Sequence, residues 1–315
     1  MEICHADKAL DIREPLAVIL GMFDGVHIGH AAVIRAARET GLRTALITFT
    51  EHPALVLKNR RAPDITTDRQ RERIFEDLGI DYLIYLDFRK VQSLSPEEFI
   101  QKVLLPFHIR YAFCGFNYRF GEGGKAGPDV LDSLGKRYGF TAVRIPPICD
   151  AAGPVSSTRI RKLIAEGRME DAATLLGRPF TLEFPVIHGR QLGRTLGTPT
   201  INQRIPEEHV CPRFGVYAAS VRLDGEWRDA VASVGVKPTV GSDDILCETF
   251  LFDFDGDLYG RWMEVALHTF LRPEKRFDGI DALKTQMEQD IVQAKNWLLK
   301  NRPVPYSYLK KNNLS

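Results

Sequence analysis

The chain has 315 residues, a formal net charge of +1 at pH 7, a hydrophobic fraction of 44% and a charged fraction of 26%. This length allows two domains, each with its own core, and the composition is that of a globular protein. A balanced charge creates no strong field for nucleic acid or for a membrane surface. We therefore expect neither nucleic acid nor a membrane as a partner, and we leave a weak homo-oligomer open.

The N-terminus and the cysteines bear on the cellular compartment. Residues 1–8 have no signal-peptide pattern, and no apolar run approaches the roughly 20 residues of a membrane span. The five cysteines are scattered without Cys-x-x-Cys spacing, which indicates neither a zinc site nor a disulfide framework. We expect a protein of the reducing cytoplasm.

The first half of the chain alternates strand-like and helix-like segments. An apolar run at 17–20 is followed by a helical pattern at 31–38. Further strand patterns lie at 44–49, 82–86, 111–114 and 141–144, with helical patterns at 68–78 and 97–105. This alternation predicts an α/β domain, a parallel sheet with helices on both faces that binds ligands beyond the carboxyl ends of its strands.

The pattern changes after residue 178. Short alternating strands are predicted at 181–187, 215–223, 227–234, 247–252 and 263–270. The dipeptides Asp224-Gly225 and Asp255-Gly256 are typical of hairpin turns, and an amphipathic helix is predicted from about residue 280 to 299. The second half therefore predicts a small antiparallel β-barrel with a terminal helix, and we divide the chain into domains 1–178 and 179–315.

A glycine-rich turn joins the first apolar strand to the helix after it. It reads Gly-Met-Phe-Asp-Gly-Val-His-Ile-Gly-His from Gly21 to His30. Its glycines allow a bulky ligand to approach the backbone, and a helix N-terminus offers N–H groups to an anion. His27 and His30 add imidazole donors for phosphate oxygens. The turn predicts a site that holds the phosphates of a nucleotide while one of them is attacked.

Three other segments of the first half carry polar or aromatic groups after predicted strands. Residues 155–161 place three hydroxyls at a helix start, with Arg161 one turn later. Residues 115–127 combine glycines, aromatic rings and Asn117, and aromatic faces suit a flat ring system. Residues 48–53 end in a His-Pro pair. Taken singly, the first two are also compatible with a capping cluster and with a surface loop.

The second half carries two segments with phosphate-transfer chemistry. The glycine- and arginine-rich run 189–198 could wrap a polyphosphate, although most such loops are exposed connections. Thr200 and Asn202 offer a hydroxyl and an amide oxygen, two residues apart, to Mg²⁺. Glu248 lies at the start of a predicted strand, where a carboxylate can simply be exposed to water at a sheet edge.

In their order along the chain, these motifs resemble those of the bacterial bifunctional riboflavin kinase/FMN adenylyltransferase family, the FAD synthetases. The turn at 21–30 and the segment 155–161 resemble the two phosphate-binding signatures of the nucleotidyltransferase superfamily. The run 199–202 resembles the flavokinase Pro-Thr-Ala-Asn motif with isoleucine for alanine, and 272–277 resembles a flavin-side flap. The resemblance implies that ATP phosphorylates riboflavin to FMN and then adenylylates FMN to FAD with release of pyrophosphate, and that Mg²⁺ is the cofactor.

The resemblance also implies which residues serve each activity. In adenylyl transfer His27 and His30 are catalytic. The ATP-binding residues there are Gly21, Phe23, Asp24, Gly29, Ser156, Ser157, Thr158 and Arg161, and the FMN-binding residues are His52, Asn117 and Phe120. In the kinase Glu248 is the general base. The kinase ATP-binding residues are Gly189, Arg190, Gly193, Leu196, Gly197 and Thr200, with Thr200 and Asn202 on the metal and Arg272 on the flap.

Two alternatives remain beside this interpretation. The chain could be a family member that has lost the kinase activity, or a non-catalytic regulator that binds a flavin or a nucleotide. The presence of Thr200, Asn202 and Glu248 argues against the first, and the two histidines argue against the second. Glu51 departs from the family pattern, which has proline before the His-Pro pair.

Overall fold

The structure is a computed structural model that describes residues 1–5, 12–58, 62–188, 200–239 and 242–301. For residues 237–239 and 242–243 it describes the backbone only. The chain forms two compact units. Met1–Ala62 and Asp68–Ser156 form the first unit, and Pro63–Thr67 and Ser157–Ser315 form the second. Among the described helices, none is both long and apolar enough to cross a membrane.

The first unit contains the predicted parallel sheet. Its strands are β1 (Glu2–His5), β2 (Leu16–Leu20), β3 (Arg43–Phe49), β4 (Tyr82–Leu86), β5 (Ile109–Gly115) and β6 (Thr141–Ile145). The order is β1-β4-β3-β2-β5-β6, and every neighbouring pair is parallel. All five residues of β2 are buried, because a central parallel strand is covered on both faces.

The helices of the first unit connect these strands. They are α1 (Ile28–Arg38), α2 (Pro53–Lys58), α3 (Asp68–Asp77), α4 (Phe88–Val91), α5 (Pro96–Phe99) and α6 (Pro128–Tyr138). The predicted helix 97–105 is α5, followed by a π-helical turn at Ile100–Leu104 and a 3₁₀ turn at Leu105–Phe107. Ser95 and Glu98 form a capping box at its start. A two-stranded ribbon, β7 (Cys149–Asp150) with β8 (Gly153–Pro154), follows the sheet.

Helices cover both faces of the sheet. Val18 and Leu20 of β2 belong to one apolar cluster with Phe99 and Leu131, from the helices on one face. The helix α1 contacts β2, β3, β5 and β6 through its own apolar side, which includes Ile34. The buried residues of α1 do not belong to that cluster. Because the side chains of a strand alternate between the two faces of a sheet, we infer that α1 covers the opposite face. The predicted two-sided cover of the sheet is therefore confirmed.

The strand order predicts a crevice between β2 and β5. From β2 the chain moves outward through β3 and β4, and it then returns to the other side of β2 to form β5 and β6. Loops that leave two neighbouring parallel strands in opposite directions open a crevice at the carboxyl ends of those strands. The loop after β2 carries the histidine motif, and the loop after β5 carries Asn117.

In its described residues, the second unit contains two helices, a closed barrel and a long helix after the barrel. The helices are α7 (Ser157–Glu166), α8 (Met169–Leu176) and α9 (Ile280–Asn301). The strands are β9 (Phe180–Ile187), β10 (Thr200–Arg204), β11 (Gly215–Leu223), β12 (Glu226–Thr239), β13 (Ser242–Leu251) and β14 (Trp262–Pro273). They close in the order β10-β13-β12-β11-β14-β9, and all described pairs are antiparallel.

Turn chemistry predicted one of the two hairpins correctly. Asp224 and Gly225 have φ values of +50° and +91° and join β11 to β12, as a two-residue hairpin turn requires. The hairpin predicted at Asp255-Gly256 is wrong. The strands β13 and β14 are not neighbours, since β12 and β10 already occupy both edges of β13. Residues 235–239 continue β12, because their backbone pairs with the beginning of β13.

The helices α7 and α8 belong to the second unit by their contacts. The helix α8 contacts β9 and β14, and the backbone N–H of Arg213 donates to the carbonyl oxygen of Ile164 at 3.3 Å. The compact unit thus begins before the barrel. The division of the chain into two functional domains, 1–178 and 179–315, stays a prediction.

Candidate active sites

The loop between β2 and α1 folds tightly around its histidines. The rings of His27 and His30 stack with centroids 3.7 Å apart and an interplanar angle of 14°. His27 is the N-cap of α1, and its Nδ1 accepts a hydrogen bond from the backbone N of His30 at 3.3 Å. In its neutral form His27 therefore carries its proton on Nε2, which makes Nε2 a donor suited to a phosphate oxygen.

Glycine is needed at the second residue of this helix. A Cβ on Gly29 would lie 3.1 Å from the His27 ring, tighter than ordinary van der Waals contact. Gly29 thus allows the imidazole to lie against the first turn of α1, where backbone N–H groups face outward. The structure thus packs His27, Gly29 and His30 together at the start of α1, and their role in phosphate binding stays a prediction.

Phe23 supports the histidines from within the fold. It is 2% exposed, its ring contacts His30 edge-on at 5.1 Å between centroids, and it contacts Phe75 of α3 at 5.9 Å. A Cβ on Gly21 would lie 2.9 Å from the Phe23 ring. Sequence reasoning proposed Phe23 and Gly21 but missed Phe75, whose buried position on α3 follows from helical periodicity.

The backbone of this loop is strained. Phe23 and Val26 have φ values of +56° and +37°, and neither is glycine. A positive φ is a rare conformation for a β-branched residue, and such residues cluster at functional sites where packing enforces them. Thr48 of β3 helps to hold the loop by donating its hydroxyl to the carbonyl oxygen of Met22 at 3.4 Å.

The predicted FMN-binding residues lie in different environments. Asn117 is exposed in the loop after β5, and His52 is half-buried after β3, where its Nδ1 accepts from the N–H of Ala54 at 3.1 Å. Phe120 is 5% exposed and belongs to the core, with its ring stacked on Tyr118 at 5.8 Å. The aromatic ring that this loop exposes belongs to Phe116 instead.

Glu51, the departure from the family pattern, forms an ion pair. Its Oε2 lies 3.1 Å from Nη2 of Arg89, and both side chains are exposed, so the pair stabilises the loop only weakly. The ion pair is a local contact between the loop after β3 and the helix α4. Asp24, by contrast, is buried within the histidine loop at 5% exposure.

The segment 155–161 spans the boundary between the two units. Ser156 is half-buried at the end of the first unit, and the second unit begins with Ser157, the first residue of α7. Thr158 is exposed, and Arg161 donates from Nε to the carbonyl oxygen of Pro63 at 2.6 Å within the second unit. The roles of these residues in ATP binding stay predictions.

Three of the residues that the sequence proposed for a kinase, Asn202, Glu248 and Arg272, lie in one row across the barrel. Asn202 of β10 is opposite Glu248 of β13, which is opposite Ser233 of β12. Ser233 is in turn opposite Val216 of β11, and Val216 is opposite Arg272 of β14. Directly paired residues of antiparallel strands project from the same face, so the pairing gathers these side chains on one side of the barrel wall.

That row borders a cavity of about 230 Å³ between the barrel and α9. Thr200, Glu248 and Arg272, which the sequence proposed from three separate segments, all line it. Three further lining residues, Glu274, Lys275 and Phe277, belong to the predicted flap 272–277. Sequence reasoning missed the others, namely Val216, Val231, Ala232, Ser233, Phe250, Leu283, Met287, Asp290 and Ile291. Cys247, beside the proposed base, is buried on the opposite face, and burial raises the pKa of its thiol to about 12.

Asn202 has the features of a metal ligand. It is 5% exposed, and its Oδ1 is buried without a hydrogen-bond partner in the part of the chain that the structure describes. A buried amide oxygen left unsatisfied is costly, and a cation would satisfy it. Thr200 lies two residues away on the same face, whereas Ile201 between them is on the other face. Hydroxyl and amide oxygens fit Mg²⁺, which is typically shared with substrate phosphates.

Arg272 is held by Asp290 of α9. Nε of Arg272 donates to Oδ1 at 2.8 Å and Nη2 donates to Oδ2 at 2.6 Å, a bidentate ion pair with Asp290 4% exposed. Sequence reasoning missed Asp290. The signal that could have identified it is an acidic residue on the side of α9 that also carries the buried Ala294 and Leu298. The other predicted kinase ATP-binding residues, Gly189, Arg190, Gly193, Leu196 and Gly197, lie outside the described residues.

Comparisons with known proteins match both halves of the chain. The FAD synthetase family matches residues 10–159, and the riboflavin kinase family matches residues 176–298. A bifunctional riboflavin kinase/FMN adenylyltransferase of Listeria monocytogenes is 36% identical over 293 residues, 90% of this chain and 92% of the relative. A relative of the same description from Bacillus subtilis is 35% identical over 93% of this chain and 96% of its own length. One from Escherichia coli K12 is 34% identical over 92% of this chain and 95% of its own length.

A solved structure has the same fold over almost the whole chain. It is a crystal structure described as a macrolide-efflux protein from Streptococcus pneumoniae, with a TM-score of 0.84 and 31% sequence identity. The match covers 94% of this chain and 100% of that chain. With two family matches in sequence order and several relatives above 30% identity over most of both chains, this chain belongs to the family of bifunctional riboflavin kinases/FMN adenylyltransferases.

Proposed function

We propose that this protein phosphorylates riboflavin to FMN with ATP and then adenylylates FMN with a second ATP to give FAD and pyrophosphate. The observation that carries the proposal is the full-length match to relatives described by both activities. Its support from geometry is that three kinase residues, chosen from separate motifs, line one cavity, while the two histidines stack at a helix N-terminus.

In the kinase, Glu248 is the general base. Its carboxylate accepts the proton of the riboflavin 5′-hydroxyl while that oxygen attacks the γ-phosphorus of ATP, and ADP leaves. Thr200 and Asn202 would hold Mg²⁺, which when bound neutralises charge on the ATP phosphates. Arg272 keeps a fixed positive charge at the opposite end of the row from Asn202.

In the adenylyltransferase, a phosphate oxygen of FMN attacks the α-phosphorus of ATP and pyrophosphate leaves. No covalent enzyme intermediate is required, so positioning and charge stabilisation lower the barrier. His27 donates from Nε2, and with His30 it stabilises the α-phosphoryl group and the pyrophosphate as its charge develops. The N-terminal N–H groups of α1 add fixed positive dipoles in the same loop.

A time course separated by chromatography tests both activities together. Riboflavin is incubated with excess ATP and Mg²⁺, and we expect transient FMN followed by accumulating FAD. FMN that accumulates without FAD would contradict the assignment of the histidine loop. Added FMN that becomes FAD while riboflavin is unchanged would contradict the assignment of the barrel.

The remaining elements of the proposal concern the surroundings of the enzyme. We propose Mg²⁺ as the metal on the grounds of the Asn202 amide oxygen, and the cytoplasm as its location on the grounds of its scattered cysteines. We propose the small molecules riboflavin, FMN and ATP as partners, because the two activities require them, and no nucleic acid, because a net charge of +1 creates no strong field for it. We also propose that any homo-oligomer is weak. Light scattering over a concentration range tests the last point.

A further inference from the structure

The cavity of the second unit has two apolar walls of different origin. The barrel contributes Val216, Val231 and Phe250. The helix α9 contributes Leu283, Met287 and Ile291, which are spaced four residues apart and so form one stripe along the helix. A slot between two apolar faces suits a flat aromatic ring system, and its volume depends on how closely the helix approaches the barrel.

A largely buried ion pair joins the helix to β14 at this slot. Both guanidinium contacts of Arg272 to Asp290 are 2.8 Å or shorter, and the two side chains are 20% and 5% exposed. Gln286, one turn earlier on α9, donates from Nε2 to the same carboxylate at 3.1 Å. A buried carboxylate is tolerated only when its partners satisfy it, so Asp290 and Arg272 hold each other in one arrangement.

The ion pair also closes the segment that links β14 to α9. Arg272 lies at the end of β14, and its guanidinium carbon is 5.8 Å from the ring centroid of Phe277. Glu274, Lys275 and Phe277 of this segment line the cavity. The Arg272–Asp290 ion pair therefore positions both the linking segment and the stripe of α9 that lines the cavity. Glu248 does not depend on this ion pair, because the neighbouring strands β10 and β12 hold its strand in place.

We propose that Asp290 is a positioning residue for flavin binding: through Arg272 it holds the apolar stripe of α9 and the segment 274–277 against the ring system of riboflavin. This inference rests on the proposed kinase function and deepens it. Because the base and the metal ligands are on strands that do not depend on the pair, loss of the pair raises the KM for riboflavin far more than it lowers kcat.

The test compares Asp290→Asn with Asp224→Asn. Asp224 makes a single, exposed contact of 2.7 Å with Arg261 at the hairpin turn that ends β11, whereas Val216 of the cavity lies near the beginning of that strand. We expect Asp290→Asn to raise the KM for riboflavin by about 10- to 100-fold and to change kcat by less than about threefold. The Kd for riboflavin, measured by quenching of flavin fluorescence, should rise by the same factor as the KM. We expect Asp224→Asn to behave as wild type.

Additional variants keep the inference falsifiable if Asp290→Asn does not fold. Arg272→Lys retains the charge but not the bidentate contact, so we expect a smaller rise in KM. The double variant Arg272→Met/Asp290→Leu removes both buried charges and retains packing, so it folds without the pair. Adenylylation of added FMN by the same preparations reports whether the rest of the chain is intact.

Each outcome decides the matter. A wild-type KM in any folded variant without the pair would overturn the role of Asp290 and leave the proposed function standing. A fall in kcat at unchanged KM would show that the pair acts on the chemical step, and would also overturn it. Failure of the wild-type protein to phosphorylate riboflavin would overturn the kinase assignment and this inference with it.

Discussion

Asn202 and Glu248 lie directly opposite each other in the antiparallel pair of β10 and β13. Asn202 is the proposed metal ligand and Glu248 is the proposed base, and the two residues are 46 positions apart in the sequence. Paired antiparallel residues project from the same face. The barrel thus brings the two groups to one side of its wall, although nothing in either motif specifies that register.

Glu248→Gln removes the base and preserves the shape of the side chain. We expect the riboflavin kinase kcat to fall by about 10²- to 10⁴-fold, because general-base catalysis contributes roughly that much. The measurement is FMN formation from riboflavin and ATP. Glu226→Gln, the same change at an exposed strand end of the barrel, is the control and keeps full activity. Equal kinase rates in the two variants would refute the assignment.

Asn202→Ala removes the unsatisfied buried oxygen. We expect the Mg²⁺ concentration for half-maximal kinase activity to rise about tenfold or more, since one oxygen ligand is lost. The measurement is a Mg²⁺ titration of FMN formation at fixed ATP. Asn202→Asp, which keeps an oxygen at this position, retains more activity than the alanine variant. Phosphorylation by Asn202→Ala at the wild-type rate and metal requirement would count against Asn202 as a ligand.

His30→Asn removes one imidazole from the phosphate-binding loop. We expect pyrophosphate release from ATP and FMN to fall by about 10²- to 10³-fold, the usual effect of losing a donor to developing negative charge. Phosphorylation of riboflavin by the same protein is unchanged. The control is His108→Asn, because His108 is exposed with φ +48°, a conformation that asparagine also adopts. Normal FAD formation by His30→Asn would exclude a catalytic role.

Gly29→Ala tests the packing of the His27 ring. The added Cβ would lie 3.1 Å from the imidazole, so the ring must shift. We expect adenylyl transfer to fall by about 10- to 100-fold, because small misplacements of catalytic groups are costly. FAD formation from FMN is the measurement. Gly279→Ala adds the same methyl group where nothing lies within 4 Å, and it is expected to have no effect. Similar rates in both variants would contradict this account.

His268 links the stability of the second unit to pH. Burial lowers its pKa to about 4 from an ordinary value of 6.5, and its Nε2 lies 2.8 Å from Oγ of Ser220. A histidine whose folded pKa is lowered contributes stability above its unfolded pKa, and this is lost as pH falls from about 6.5 towards 4. Between pH 7 and pH 5 we expect a loss on the order of 2 kcal/mol in the free energy of unfolding.

Urea unfolding followed by tryptophan fluorescence measures this loss. All three tryptophans belong to the second unit, and the ring of Trp297 stacks on His268 with centroids 5.9 Å apart. His268→Gln does not titrate in this range and still offers Ser220 a hydrogen-bond partner. We expect its stability to change much less than that of wild type between the two pH values. Parallel losses in both proteins would show that another group is responsible.

Much of the architecture was determined locally by the sequence. The apolar run 17–20 predicted a buried strand, which the structure has as Leu16–Leu20, and the alternation of strand and helix patterns predicted the parallel sheet. The turn Asp224-Gly225 was predictable, since its residues suit positive φ values. Asp255-Gly256 carries the same signal and forms no hairpin, because strand order in a barrel is set by all strands together.

The sequence by itself determined which chemical groups the protein has: two histidines at a helix start, a hydroxyl and an amide two residues apart, and a carboxylate at a strand. Only the tertiary structure decided which groups share a site. The alignment of Asn202, Glu248 and Arg272 in one row depends on strand register, which arises from long-range pairing. The contact of Asp290 with Arg272 likewise depends on helix docking, which local spacing does not encode.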